Sequence, residues 1–178
     1  FYQFTYFQDL EELTSLISNQ VAAVFVETPT NPLMQEIDLA AVAQVCQDHQ
    51  TRLIVDNTFL TPLRQRPLEL GADLVIHSGT KYLTGHNDIL AGVVVATDAS
   101  LGEQLVWLSN TTGPTLSPFD CWLFIRSLKT LSLRLDRQEA NAQSLAQALS
   151  QHPQIKEVLY PGRGAMMSIK IQDANKVD

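Results

Sequence analysis

Four short runs rich in valine and isoleucine constrain this chain more than any other feature. They are VAAVFVE (Val21 to Glu27), TRLIVDN (Thr51 to Asn57), ADLVIHS (Ala72 to Ser78) and GVVVAT (Gly92 to Thr97). Their length and continuous apolar character predict strands buried on both faces of a mostly parallel sheet. Between the first two lies DLAAVAQVCQDHQ, in which Asp38 can cap a helix whose Leu39, Val42, Val45 and Cys46 fall on one stripe. Strand, helix and strand make a βαβ unit, so the fold class is α/β. The crossover from Asn57 to Gly71 is shorter and carries two prolines, which leaves room for only a brief helix around Pro67 to Leu70.

A different pattern follows. In SPFDCWLFIRSLKTLSLRLDRQEANAQSLAQALSQHP, Ser117 is an N-cap, Pro118 takes the first helical position and Asp120 the first turn. No glycine or proline interrupts the pattern until Pro153, predicting one or two long helices with Trp122, Ile125, Leu128 and Leu131 as a buried stripe. EVLYPG and AMMSIKIQ then read as strands of a further unit too small to close a core. The expected division is therefore 1–116 as part of a large sheet domain, 117–150 as a helical connection and 151–178 as the start of a smaller C-terminal domain. The start at Phe1 without methionine and the unfinished last unit together predict a piece of a longer polypeptide.

Composition limits the chemistry. With 45% hydrophobic and 17% charged residues in 178, the chain can bury a core, and its net charge of -7 opposes binding to nucleic acid or an anionic membrane. No apolar run reaches the length of a membrane span, and no basic-then-apolar leader precedes the first acidic helix. Cys46 and Cys121 lack metal-ligand spacing and read as reduced packing residues of a cytoplasmic protein, rather than as a disulfide. A small-molecule substrate is the expected partner.

In open α/β sheets ligands collect beyond the carboxyl ends of the strands. Here those ends carry Glu27-Thr28-Pro29-Thr30-Asn31-Pro32, Asp56-Asn57-Thr58 and Ser78-Gly79-Thr80-Lys81. Taken singly, each has an ordinary explanation as a turn former, a loop cap or a solvated charge. Together they supply what pyridoxal phosphate (PLP) chemistry requires. A lysine amine can form a Schiff base, a carboxylate can keep the pyridine nitrogen protonated, and hydroxyls and amides can bind phosphate and the ring hydroxyl. Lys81, Asp56, Ser78 with Thr80, and Asn31 are the candidates in that order. SGTKYLTG lacks the Gly-Lys-Ser/Thr of a phosphate-binding P-loop, which argues against an NTPase. His77, His86 and Asp88 offer no clear third and fourth metal ligand, so no metal site is expected.

ETPTNP, VDNTF, HSGTKYLTGHND, LSPFDCWLFIRSLKTLSLR and NAQSLAQAL followed by YPG resemble, in order and spacing, the Cys/Met-metabolism family of PLP-dependent enzymes. The resemblance runs from about Val21 onward. It implies the aspartate-aminotransferase-like fold (fold type I), with Lys81 as the Schiff-base lysine and Asp56 as the partner of the pyridine nitrogen. It also implies that Asn31 lies near the ring hydroxyl and that Ser78 and Thr80 bind the phosphate. The family's earlier glycine turn, stacking aromatic ring and cross-subunit Tyr/Arg pair do not occur in these 178 residues, nor does its later substrate-carboxylate arginine. The implied activity is trans-sulfuration, most specifically cystathionine γ-synthase-type γ-replacement on an activated homoserine. Cystathionine γ- or β-lyase, methionine γ-lyase and O-acetylhomoserine sulfhydrylase are the alternatives, and a catalytically dead interaction module is an alternative of another class. The resemblance further implies a homodimer or homotetramer. In that family YPG is usually followed by a mobile segment, whereas here Arg163 alone separates it from GAMMS, so the expectation is of residues omitted near Gly162 to Gly164.

Overall fold

The computed structural model describes residues 3–173; the outer ends of the first and last expected domains lie outside the described residues. Three strands run parallel in sequential order, β1 (Ala23–Glu27), β2 (Arg52–Asp56) and β3 (Leu74–Ser78), and β4 (Gly92–Ala96) joins β3 antiparallel. The expected mostly parallel sheet therefore forms, with one reversed strand at its edge.

Helix α1 (Leu10–Leu16) is capped by Asp9, and α2 (Leu39–Asp48) by Asp38, whose carboxylate accepts the Ala40 and Ala41 N–H groups at 3.0 and 3.1 Å. The α2 stripe packs Val42 and Cys46 onto Leu53, Val55 and Val75 of the sheet. Burying such side chains stabilises the unit by about 1.5–3 kcal/mol each. Burial is uneven across the sheet. Val24 and Val26 of β1 are buried while Phe25 on the opposite face is 55% exposed, and Val94 and Val95, on opposite faces of the edge strand β4, are both exposed. Strands buried on both faces are thus not what this chain forms alone.

The crossover after β2 holds more helix than expected. A single turn, α3 (Thr61–Arg64), precedes the 3₁₀ turn Pro67–Leu70. Thr61 has φ +58 and is fully buried, a left-handed conformation that a β-branched residue rarely adopts. Helix α4 (Ala99–Thr112) was not read from sequence, although Asp98 caps it and Gly113 ends it at φ 84.

Two helices fill the long polar segment, α5 (Pro118–Leu128) and α6 (Leu131–Ser150), and Ser117 caps α5 as expected by accepting Asp120 N–H at 3.1 Å. The expected buried stripe is corrected. Trp122 and Ile125 are 57% and 61% exposed and Leu128 is exposed too, while Phe124, Ser127, Leu131 and Leu135 are buried. The reason is the packing partner: Phe124, Leu131 and Leu135 close on Leu83 and Ile89 from the segment after β3. Cys121 is exposed on α5 and so is not a packing residue, unlike Cys46.

The second unit is an antiparallel hairpin, β5 (Ile155–Leu159) with β6 (Ser168–Ile171). In the connection between β5 and β6, which holds Gly162 to Gly164 where the sequence predicts an omission, Tyr160 Oη donates to Gly164 O at 2.9 Å. Gly162 and Gly164 take φ 83 and 74, which glycine tolerates without a Cβ clash.

Candidate functional site

The parallel register places the candidates on one edge. Glu27 pairs with Asp56, and Asp56 with Ile76, two residues before Ser78. Directly after Ser78 the chain turns through Gly79–Leu83, a π-helical turn from which Lys81 departs at φ −87 and ψ −118. Gly79 is needed here because a Cβ would stand 2.5 Å from the Phe124 ring and 2.9 Å from Ala91 Cβ. Helix α5 thus packs directly against the lysine-bearing turn.

The polar groups at this edge divide into two sets. Asn57, Gln65, Thr61 and Thr84 are buried and bonded within the protein, as in Thr84 Oγ1 donating to Gly79 O at 2.8 Å. The second set keeps spare hydrogen-bonding capacity. Asp56 Oδ1 accepts Thr58 N–H at 2.9 Å, leaving its other oxygen without a protein donor among the described residues. Lys81 is exposed and makes no ion pair with the described residues, and the side chains of Asn31 and Ser78 likewise make no hydrogen bond with them.

Thr80 stands between the two sets. Its hydroxyl accepts Ala91 N–H at 2.9 Å and donates to Ala91 O at the longer distance of 3.3 Å. Donating to a ligand phosphate would mean releasing that longer bond. Asn31 lies farther round the rim, exposed in the loop after β1 between the cis prolines Pro29 and Pro32.

Electrostatics follow from burial and neighbours. Glu27 is held above its ordinary carboxyl pKa, first by burial and then by the Asp56 charge beside it, against a lowering contribution from the Asn31 backbone. His77 points to the opposite face from Ser78 because strand side chains alternate. Burial pushes its pKa down, and its Nδ1 has no hydrogen-bond partner among the described residues. His86 Nδ1 meets Thr84 O and Ser127 Oγ instead, and no cluster of three or more His, Cys, Asp or Glu among the described residues is placed to hold a metal.

Sequence reasoning missed three contributors. Thr58 Oγ1 accepts the Ser78 N–H at 2.8 Å and so joins the Asp56 and Lys81 segments. Gln65 and Arg163 meet across the molecule at 3.0 Å. Thr58 lay inside a quoted motif and was legible as a loop hydroxyl, whereas no local pattern marks Gln65 or Arg163.

The profile of the family described as Cys/Met metabolism PLP-dependent enzyme matches residues 2–174. The chain is 56% identical, over 93% of its length and 44% of the relative's, to a "Cystathionine gamma-synthase/O-acetylhomoserine (thiol)-lyase" of Bacillus subtilis (strain 168). It is 46% identical to a "Cystathionine gamma-lyase" of the same organism, over 85% of this chain and 40% of that one. A solved cystathionine gamma synthase from Xanthomonas oryzae pv. oryzae in complex with cystathionine superimposes with TM-score 0.91 at 40% identity, over 94% of this chain and 47% of that one. The chain therefore spans less than half the length of these relatives, and its fold is theirs. Among the described residues no helix is long and apolar enough to cross a membrane.

Proposed function

This chain belongs to the Cys/Met-metabolism family of PLP-dependent enzymes, and on that premise we propose that it carries the lysine half of a trans-sulfuration active site. The observation that carries the reading is that Asp56 ends β2 while Lys81 follows the end of the adjacent parallel strand β3, both with capacity left for a ligand. These residues fit PLP. Lys81 Nζ is the amine that would hold it covalently, Asp56 would face its ring nitrogen, Ser78 and Thr80 its phosphate, and Asn31 its ring hydroxyl. When bound, PLP supplies an electron sink for the α-carbon of an amino acid.

The remaining work belongs to the chain. The Lys81 amine would serve as the base for the substrate α-proton. Asp56 keeps its charge oriented because Thr58 N–H holds one of its oxygens. The Phe124, Leu131 and Leu135 cluster backs the lysine turn and fixes its position against the sheet.

Among the family's reactions we favour γ-replacement by cysteine on an activated homoserine. The name of the 56% identical relative supports it. γ-Elimination is the second reading, favoured by the likeness to a cystathionine gamma-lyase at 46%. A cytoplasmic setting suits two free thiols. A homodimer or homotetramer suits the exposed Phe119, Trp122 and Ile125 of α5. Product analysis of the full-length protein decides the reaction: O-acyl-homoserine plus cysteine should yield cystathionine. Consumption of cystathionine with no synthesis would favour the lyase. Lys81→Ala should abolish the near-visible absorbance that borohydride otherwise removes, and an unchanged spectrum would overturn the lysine assignment.

A further inference from the structure

Gln65 is 8% exposed, yet its side-chain amide is bonded at both ends. Its Nε2 donates to Thr28 O at 3.2 Å and to Asn57 Oδ1 at 3.0 Å, while its Oε1 accepts from Arg163 Nη2 at 3.0 Å. Asn57, fully buried next to Asp56, returns a bond from its Nδ2 to Gln65 O at 2.8 Å. Gln65 thereby touches the end of β1, which leads to Asn31, and the end of β2, which bears Asp56.

Arg163 decides which way round this amide sits. A guanidinium only donates, so the oxygen of Gln65 must face it and the NH₂ group must face Thr28 O and Asn57 Oδ1. If Gln65 turned over, its oxygen would meet two other acceptors in a buried setting, which is unfavourable. Arg163 comes from the turn between β5 and β6 and is itself held by Glu36, whose Oε1 accepts its Nε–H at 2.8 Å. The same turn is gripped from the other side. Gly164 N donates to Glu139 Oε1 at 2.6 Å, and Glu139 Oε2 accepts from Arg64 Nε at 2.8 Å. Consecutive residues Arg64 and Gln65 therefore bind consecutive residues Gly164 and Arg163, the first through Glu139.

We propose that Arg163 and Gln65 are positioning residues through which the turn of the second unit sets the relative placement of the Asn31 and Asp56 loops. The proposal rests on those loops holding PLP, as argued above.

The test uses the full-length apoprotein titrated with PLP, followed by absorbance, with the melting temperature of each apoprotein measured in parallel. Arg163→Ala should weaken PLP binding about tenfold, the scale of one hydrogen bond to a charged group. Arg163→Lys, which keeps one donor toward Gln65 but not the fork, should recover part of the affinity. Arg66→Ala, which removes an exposed side chain bonded to Glu69 and Pro62, should bind PLP as wild type does. Gln65→Leu should weaken binding at least as much as Arg163→Ala; if it fails to fold, the half-exposed Arg163 still provides the answer. Wild-type affinity in Arg163→Ala, or a lower melting temperature with unchanged affinity, would overturn the proposal by making the link merely structural. Wild-type protein that does not bind PLP at all would overturn both this proposal and the functional reading beneath it.

Discussion

Thr58 Oγ1 accepts the backbone N–H of Ser78 at 2.8 Å, joining the loop that follows Asp56 to the strand end that leads into Lys81. The bond is half-buried, so water can replace the lost acceptor only in part. Thr58→Val keeps the shape and removes the acceptor, and should cost about 0.5–1.5 kcal/mol in urea unfolding. Thr58→Ser should keep most of the stability. Equal stability of Thr58→Val and wild type would show that the bond contributes little.

Asp56 ends β2 beside Glu27 at the end of β1. Asp56→Ala should weaken PLP binding and slow α-proton removal, seen as loss of solvent exchange at the substrate α-carbon, by more than it lowers the melting temperature. An unchanged exchange rate would make the carboxylate structural.

Gly79 has no room for a side chain. Gly79→Ala should destabilise the protein by about 1–3 kcal/mol, the usual cost of overpacking, because its Cβ would stand 2.5 Å from the Phe124 ring. Adding Phe124→Leu should return part of that loss. Two additive destabilisations would exclude the contact as the cause.

His77 predicts acid sensitivity. Burial lowers its pKa in the folded protein, whereas the unfolded chain titrates near the ordinary value of about 6.5. Below that value the unfolded state binds more protons, so this contribution to stability is complete above it and declines as pH falls toward the folded pKa. His77→Gln removes the titration. Between pH 7 and pH 5 the variant should lose less stability than wild type in denaturant unfolding, and parallel losses would rule His77 out.

Assembly should cover α5. Phe119 and Trp122 stack with ring centroids 6.0 Å apart and are 66% and 57% exposed. The full-length protein should have the solution mass of a dimer or a tetramer, and Trp122→Glu should reduce it. A monomeric, active wild-type protein would exclude assembly through this face.

Much of this molecule was legible in local pattern. Short Val/Ile runs became strands, and Asp38 and Ser117 became caps because a side-chain oxygen two or three residues before an amide reaches it whatever the rest of the chain does. The motif order also brought Asn31, Asp56, Ser78 and Lys81 to strand ends, since a parallel sheet aligns its carboxyl ends by construction. Tertiary structure decided which apolar side of α5 is buried. Trp122 and Phe124 are both apolar on the same helix, and only the fit of Phe124 against the glycine of the lysine turn selects it. It also decided the partner of Gln65. Arg163 lies 98 residues away, and a hydrogen bond depends on where two atoms meet in space, which no spacing along the chain encodes.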